Sequence, residues 1–279
     1  MKIARNGKGI ALYQRKYTLD LLKNFGMLTS KPVSTPMCYN SQLTKTSGTR
    51  FEDTTKYKQF IGHLIYLTNT RPDISFAVSK LSQYLDCHTN DHYRAGMHLL
   101  RYFKASPTAG LFFSSDSDLS LSGYTDSDWV TCADTRYSIS GQCFFLGTFL
   151  ISWKSKKQAT VARSLSEAEY RAMALGSIEG QWLLYLLKDL NVDHPKPFTM
   201  YCDNQFALHI AANPIFHEQT KHIEVDFHIT REKVQVGILK LLPISSAHQT
   251  TDVFTKVLPP GPFKQMYSKL GLVNFHYPA

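Results

Sequence analysis

Two periods of hydrophobicity run through this chain, and the change from one to the other divides it. In residues 57–68 and 74–85 apolar side chains recur every three or four positions, the spacing that places them on one face of a helix. Arg71-Pro72-Asp73 separates the two segments, because proline lacks a backbone donor and biases Arg71 away from the helical region. A third helix is predicted over 91–104, ended by Ala105-Ser106-Pro107, and a proline-bearing loop from Lys31-Pro32 to Thr35-Pro36 precedes all three. Residues 1–115 therefore form a mostly helical α+β segment.

From Leu119 the period shortens to two. Residues 119–125 alternate apolar and polar side chains, and 140–146 with 149–153 form a hairpin turning at Gly147-Thr148. A long helix follows, opened by two overlapping capping boxes, Ser164-x-x-Glu167 and Ser166-x-x-Glu169. Its apolar face is drawn through Ala168, Ala172, Leu175, Ile178, Trp182, Leu186 and Leu190, with Trp153, Trp182 and Trp129 assigned to the core. A buried strand (198–202), a short helix (204–212), a second long helix (220–236), a strand (238–243) and a last short helix (249–256) complete the pattern. Pro259-Pro260-Gly261-Pro262 closes it. The expected organisation is an α/β domain over 116–258, a mixed sheet flanked by helices, with a carboxyl-terminal tail at 259–279.

Composition adds a partner class. The 279 residues carry a net charge of +9, and nucleic acid is the commonest acidic partner for such a balance, although a basic surface without a ligand is equally compatible with charge alone. The five cysteines are scattered without a C-x-x-C pair, which argues against a disulfide framework and a structural zinc site. The amino terminus lacks an apolar signal core, and the longest apolar run, 144–153, is too short to span a bilayer. These features point to a reducing compartment and no membrane.

Four acids stand out, each at an element end or on a helix that could face one point. Asp126 ends the first strand of the alternating region, Glu169 lies near the start of the long helix, Asp203 ends the next strand, and Asp252 opens the last helix. Carboxylates at the carboxyl edge of a mixed sheet suit Mg²⁺, and a two-ion site performs in-line phosphodiester displacement. Taken singly, each acid is more often a turn or capping residue; Asp128 competes with Asp126, and Glu167 with Glu169. Lys154, Lys156, Lys157 and Arg163 form a basic stretch that is either a backbone-contacting surface or a solvated turn. On the second long helix, Lys221 and Arg231 join the candidates for nucleic-acid contact, and His222 with Asp226 reads as a hydrogen-bonded pair.

Six ordered motifs decide between these options: Tyr124-Thr125-Asp126-Ser127-Asp128-Trp129, Leu150 through Gln158 (LISWKSKKQ), Ser166-Glu167-Ala168-Glu169-Tyr170-Arg171-Ala172, Tyr201-Cys202-Asp203-Asn204-Gln205, Thr220-Lys221-His222-Ile223, and Asp252-Val253-Phe254-Thr255-Lys256. Together they closely resemble the ribonuclease H domain of copia-type retrotransposon Pol polyproteins. Upstream, Ser34-Thr35-Pro36-Met37, Ile61 through Leu67 (IGHLIYL) and Thr70-Arg71-Pro72-Asp73-Ile74 are similar to the segment after the polymerase palm in the same family. The resemblance implies a ribonuclease H-like fold after a reverse transcriptase thumb/connection remnant. It implies Asp126, Glu169, Asp203 and Asp252 as catalytic, metal-binding residues, with two Mg²⁺ ions (Mn²⁺ as substitute). The implied activity is endonucleolytic hydrolysis of the RNA strand of an RNA–DNA hybrid. The implied partners are that hybrid and the polymerase part of the polyprotein, in a cytoplasmic virus-like particle or the nucleus. No Tyr-x-Asp-Asp motif occurs, so no polymerase activity is expected of this chain alone. Thr250-Thr251 stands where the family has Leu-Ala, a departure expected to loosen the last helix and consistent with the alternative of a silent, duplex-binding relic. His248, four residues before Asp252, is only weakly placed for a product-release role.

Overall fold

The computed structural model describes residues 1–39, 41–194, 197–212 and 224–275, with backbone alone for 224–227. The chain forms two compact units, Met1–Asp116 with Lys256–Ala279, and Ser117–Thr255.

The first unit opens with a hairpin, β1 (Lys2–Asn6) and β2 (Gly9–Tyr13), followed by α1 (Arg15–Asn24), α2 (Thr54–Leu67), α3 (Ser75–Ser82), α4 (Asn90–Ala105) and β3 (Ala109–Ser114). The helical spacing read from the sequence reappears as burial: Tyr57, Phe60, Ile61, Leu64 and Leu67 of α2 are almost fully enclosed, as are Leu99, Leu100 and Phe103 of α4. Arg71-Pro72-Asp73 does break the helices, with a single 3₁₀ turn at Pro72–Ile74. It also anchors them. Arg71 Nη2 lies 2.7 Å from Asp73 Oδ2, the Tyr102 hydroxyl donates to the same oxygen at 2.5 Å, and Arg71 Nη1 donates to the Ser106 carbonyl at 3.0 Å. The guanidinium also lies 5.3 and 5.2 Å from the Tyr102 and Phe103 ring centroids. This buried pair is hydrogen-bonded on all sides, the condition under which burial of charge is tolerated.

The second unit holds β4 (Leu121–Asp128), β5 (Ile139–Leu146), β6 (Phe149–Lys157), α5 (Leu165–Asp189), β7 (Phe198–Cys202), α6 (Gln205–Ala212), α7 (Glu224–Gln235), β8 (Leu239–Pro243) and α8 (Asp252–Thr255). Its sheet runs β6-β5-β4-β7-β8, antiparallel from β6 to β4 and parallel from β4 to β8. This is the ribonuclease H-like mixed sheet flanked by helices. The predicted hairpin is present, with Gly147 at φ +59° in its turn.

The face of α5 differs from expectation. Leu175, Ile178, Trp182, Leu186 and Leu190 are 39–63% exposed, whereas Ala172, Met173, Gly176, Gly180, Leu183 and Leu187 point inward. Small side chains select that face, because they let the helix lie against the sheet. A Cβ on Gly176 would come within 2.5 Å of Thr125 Cγ2, and one on Gly180 within 2.3 Å of the Phe198 ring. Ala168 and Ala172 of the expected stripe are buried; size and hydropathy misplace only the five larger side chains after them. Trp129 is likewise 43% exposed rather than core, its indole N–H donating to the Ala162 carbonyl at 3.0 Å.

The carboxyl-terminal segment is not a separate tail. Pro259-Pro260 follows the end of the second unit at Thr255 and opens α9 (Pro260–Lys269), where proline is tolerated in the first turn. β9 (Leu272–Asn274) then pairs with β3, making a four-stranded antiparallel sheet β1-β2-β3-β9 in the first unit. Phe263 of α9 is buried, edge-on to Tyr102 at 5.7 Å between ring centroids.

Candidate active site

Alternation along β4 sorts its side chains. Thr125 meets α5 at Gly176, and Asp126, next in the strand, turns to the opposite face, where the Thr255 hydroxyl of α8 donates to Asp126 Oδ2. Asp126 pairs in register with Gly141, whose missing side chain admits α8: a Cβ there would come within 2.7 Å of Thr255 Cγ2. Asp126 is 4% exposed.

Glu169 arrives from the amino-terminal part of α5. That helix is capped by Ser164, whose hydroxyl accepts from the Glu167 backbone N–H at 3.1 Å. Of the two predicted capping boxes only the Ser164 half of the first is formed, since the Glu167 side chain reaches back to Arg163 rather than to Ser164. Glu167 accepts from the Arg163 backbone N–H at 2.9 Å and from Arg171 Nη2 at 2.7 Å, so it is a capping acid. Gln158 fixes the helix start against the sheet, donating from Nε2 to Ser140 Oγ at 2.9 Å and to the Ala168 carbonyl at 3.0 Å.

Glu169 is 4% exposed, and its carboxyl is pushed up to about 10. Burial is the largest cause; the negative charges of Asp126 and then Asp203 add to it, while a backbone hydrogen bond at Ser127 opposes it. The charges of Asp126 from β4 and of Asp203, directly after β7, thus both reach Glu169 on α5. Glu169, Cys202 and Asp203 each offer a ligand atom within 4.8 Å of the others.

Asp203 is held by two residues that sequence reasoning missed. Ser246 Oγ donates to its Oδ2 at 2.8 Å, and Gln249 Nε2 to its Oδ1 at 3.2 Å. Gln249 is fully buried, and its Nε2 also reaches the Thr125 carbonyl at 3.0 Å, so one amide ties β4 to β7's terminal acid. Thr251 Oγ1 in turn donates to Gln249 Oε1 at 2.6 Å. Thr250 and Thr251 do face the core, but they precede α8 rather than lie in it, and Thr251 positions Gln249. Only proximity to Asp252 in the sequence could have drawn notice to this segment. Asp252, half-buried, begins α8 one turn before Thr255. His248 is exposed and pairs with Ser245 Oγ at 2.8 Å.

The basic candidates divide. Lys154 and Lys156 are exposed on edge strand β6, on the same sheet face as Gln158 and α5, and Arg163 is exposed just before the α5 cap. Lys157 turns to the other face, 5.9 Å above the Tyr137 ring centroid. Arg231 is buried and donates to the Ile210 carbonyl at 2.8 Å, so it is not placed to meet a phosphate. Lys221 and His222 fall outside the described residues, as does the side chain of Asp226. Among the described residues no helix is long and apolar enough to cross a membrane.

The second unit has the ribonuclease H-like fold, a five-stranded mixed sheet in this order flanked by helices. Comparison with known proteins places it further. The chain is 44% identical over 267 residues to the retrovirus-related Pol polyprotein from transposon RE2 of Arabidopsis thaliana, an alignment covering 96% of this chain and 18% of that protein. It is 40% identical over 182 residues to an uncharacterized mitochondrial protein of Arabidopsis thaliana, covering 65% of this chain and 75% of the relative. A crystal structure of LC11-RNase H1 in complex with RNA/DNA hybrid aligns at 12% identity and TM-score 0.38, over 49% of this chain and 94% of that one. No family model matches the chain. Over almost its whole length the chain matches copia-type, retrovirus-related Pol polyproteins of plant retrotransposons, as a fragment of such a polyprotein would. It spans about a fifth of the length of the transposon polyproteins it matches.

Proposed function

We propose that this chain supplies the ribonuclease H activity of a retrotransposon polyprotein, hydrolysing the RNA strand of an RNA–DNA hybrid with divalent metal ions. One observation supports the reading: Glu169 and Asp203 each offer a carboxylate oxygen within 4.8 Å of the other, and the charge of Asp126 also reaches Glu169, whose carboxyl is pushed up to about 10. A buried cluster of carboxylates in which one is pushed so far from its ordinary value is suited to a cation, which relieves the repulsion. The donors are carboxylate oxygens, the set preferred by Mg²⁺ or Mn²⁺. Asp126, Glu169 and Asp203 would hold the metal, with Asp252 at the mouth of α8 as the fourth acid.

When bound, such ions supply Lewis-acid stabilisation of the phosphodiester and a water of lowered pKa. The chain's own part is positioning. Gln249 and Ser246 orient Asp203, Thr255 orients Asp126, and Gln158 sets the start of α5 and hence Glu169. Lys154, Lys156 and Arg163 border the α5 side of the sheet and would meet the hybrid's phosphates, with selection for RNA through 2′-hydroxyl contacts. The first unit is proposed to be the thumb/connection part of the reverse transcriptase, steering duplex toward the nuclease. The Thr250-Thr251 departure lends no weight to a silent relic, since both residues are buried and Thr251 supports Gln249.

The test uses the whole chain on labelled hybrid with Mg²⁺. Cleavage leaving 5′-phosphate ends, abolished by chelator and lowered about a hundredfold or more in Asp203→Asn, is expected. Equal cleavage by the variant, or binding without turnover, would remove the assignment.

A further inference from the structure

One side chain in the acid cluster does not suit Mg²⁺. Cys202, the last residue of β7, is fully buried, and its Sγ lies 4.0 Å from Glu169 Oε2. Asp203 follows it directly, and one ligand atom from each of Glu169, Cys202 and Asp203 falls within 4.8 Å of the other two. Around a tetrahedral zinc ion, with bonds of ~2.3 Å to sulfur and ~2.1 Å to oxygen, ligand atoms stand ~3.5 Å apart. The thiol need not move, since Cys202 packs in the cluster that contains Phe198, Met200 and Tyr170 and the core sets its direction; closing the gap takes a turn of the Glu169 carboxylate and the exchange of at least one of the Asp203 hydrogen bonds from Ser246 and Gln249 for the metal.

We infer that Glu169, Cys202 and Asp203 form a site for a thiophilic divalent cation of the zinc or cadmium class, overlapping the site proposed for Mg²⁺. Hard ions draw on the carboxylate oxygens and gain little from sulfur, whereas zinc and cadmium gain most from the thiolate. Binding expels the Cys202 thiol proton and the proton held on Glu169 to solvent, two protons for one divalent cation, and forms metal–sulfur and metal–oxygen bonds with no change of oxidation state. Two ion classes then compete for Glu169 and Asp203, so a soft cation blocks the metal-dependent reaction. The blocking half of the inference rests on the nuclease reading; the binding half does not.

The experiment titrates the full chain with Cd²⁺ under a non-thiol reductant and follows the near-ultraviolet sulfur-to-cadmium charge-transfer band. Cys38 is exposed, with Sγ 3.3 Å from His98 Nδ1, and would give its own band, so Cys38→Ser is the reference protein. A band saturating at a single equivalent in Cys38→Ser, and lost in Cys38→Ser/Cys202→Ser with an unchanged circular dichroism spectrum, is expected. A band of equal height in both proteins, or in neither, would overturn the inference. In the cleavage assay, each protein measured against its own uninhibited rate, the Zn²⁺ concentration for half-inhibition rises about tenfold or more on removing Cys202. Unchanged sensitivity would also overturn it. Absence of any cleavage would defeat the nuclease reading instead, and the cadmium band would still decide the site.

Discussion

Glu169→Gln in metal-free protein probes the charge repulsion on which the functional reading stands. In the native chain the Glu169 carboxyl is pushed up to about 10 from an ordinary 4.5, by burial first and then by Asp126 and Asp203. Between those two values the folded state holds a proton that the unfolded chain has released. Stability is therefore fully present below about pH 4.5 and is lost as pH rises toward 10. The slope is at most ~1.4 kcal/mol per pH unit, which between pH 5 and pH 8 gives a loss of about 2–4 kcal/mol. At ~2–4 °C per kcal/mol for a chain of this size, that is a fall in Tm of roughly 4–16 °C. Glutamine keeps the shape and cannot ionise, so Glu169→Gln should melt higher than wild type at pH 8 and nearly together with it at pH 5. The assay is thermal unfolding of the full chain in chelator at several pH values. Addition of Mg²⁺ should raise the wild-type Tm at pH 8 far more than that of the variant. If the two proteins show parallel pH dependence, Glu169 is not held away from its ordinary value by burial and its acidic neighbours, and the site is lost.

Gly176→Ala puts a methyl group against Thr125 and Met200 and should destabilise by about 1–3 kcal/mol, read as a lowered urea midpoint at unchanged slope. Gln249→Leu keeps the volume but frees Asp203 and the Thr125 carbonyl; Mg²⁺ affinity in the cleavage assay should weaken about 10–100-fold with the fold intact by circular dichroism. Arg71→Met strips the buried Asp73 of its partner and should cost about 3–5 kcal/mol, measured by denaturant unfolding.

The sequence determined much of this protein by local chemistry. Helical spacing in 57–68 and 91–104, the Arg71-Pro72-Asp73 break, the Gly147-Thr148 turn and the Ser164 cap were all legible, because each depends on neighbours a few positions apart. The four proposed acids were singled out only through their motifs, since a lone carboxylate at an element end looks the same whether it caps a helix or faces other acids. Tertiary structure alone decided which face of α5 turns inward, because close approach to the sheet rewards Gly176 and Gly180 over the bulkier Leu175 and Trp182. It also decided that residues after Pro259 return to pair β9 with β3, a contact between positions more than a hundred residues apart that no local pattern encodes. The same holds for Gln249, whose role exists only where β4, β7 and the segment before α8 come together.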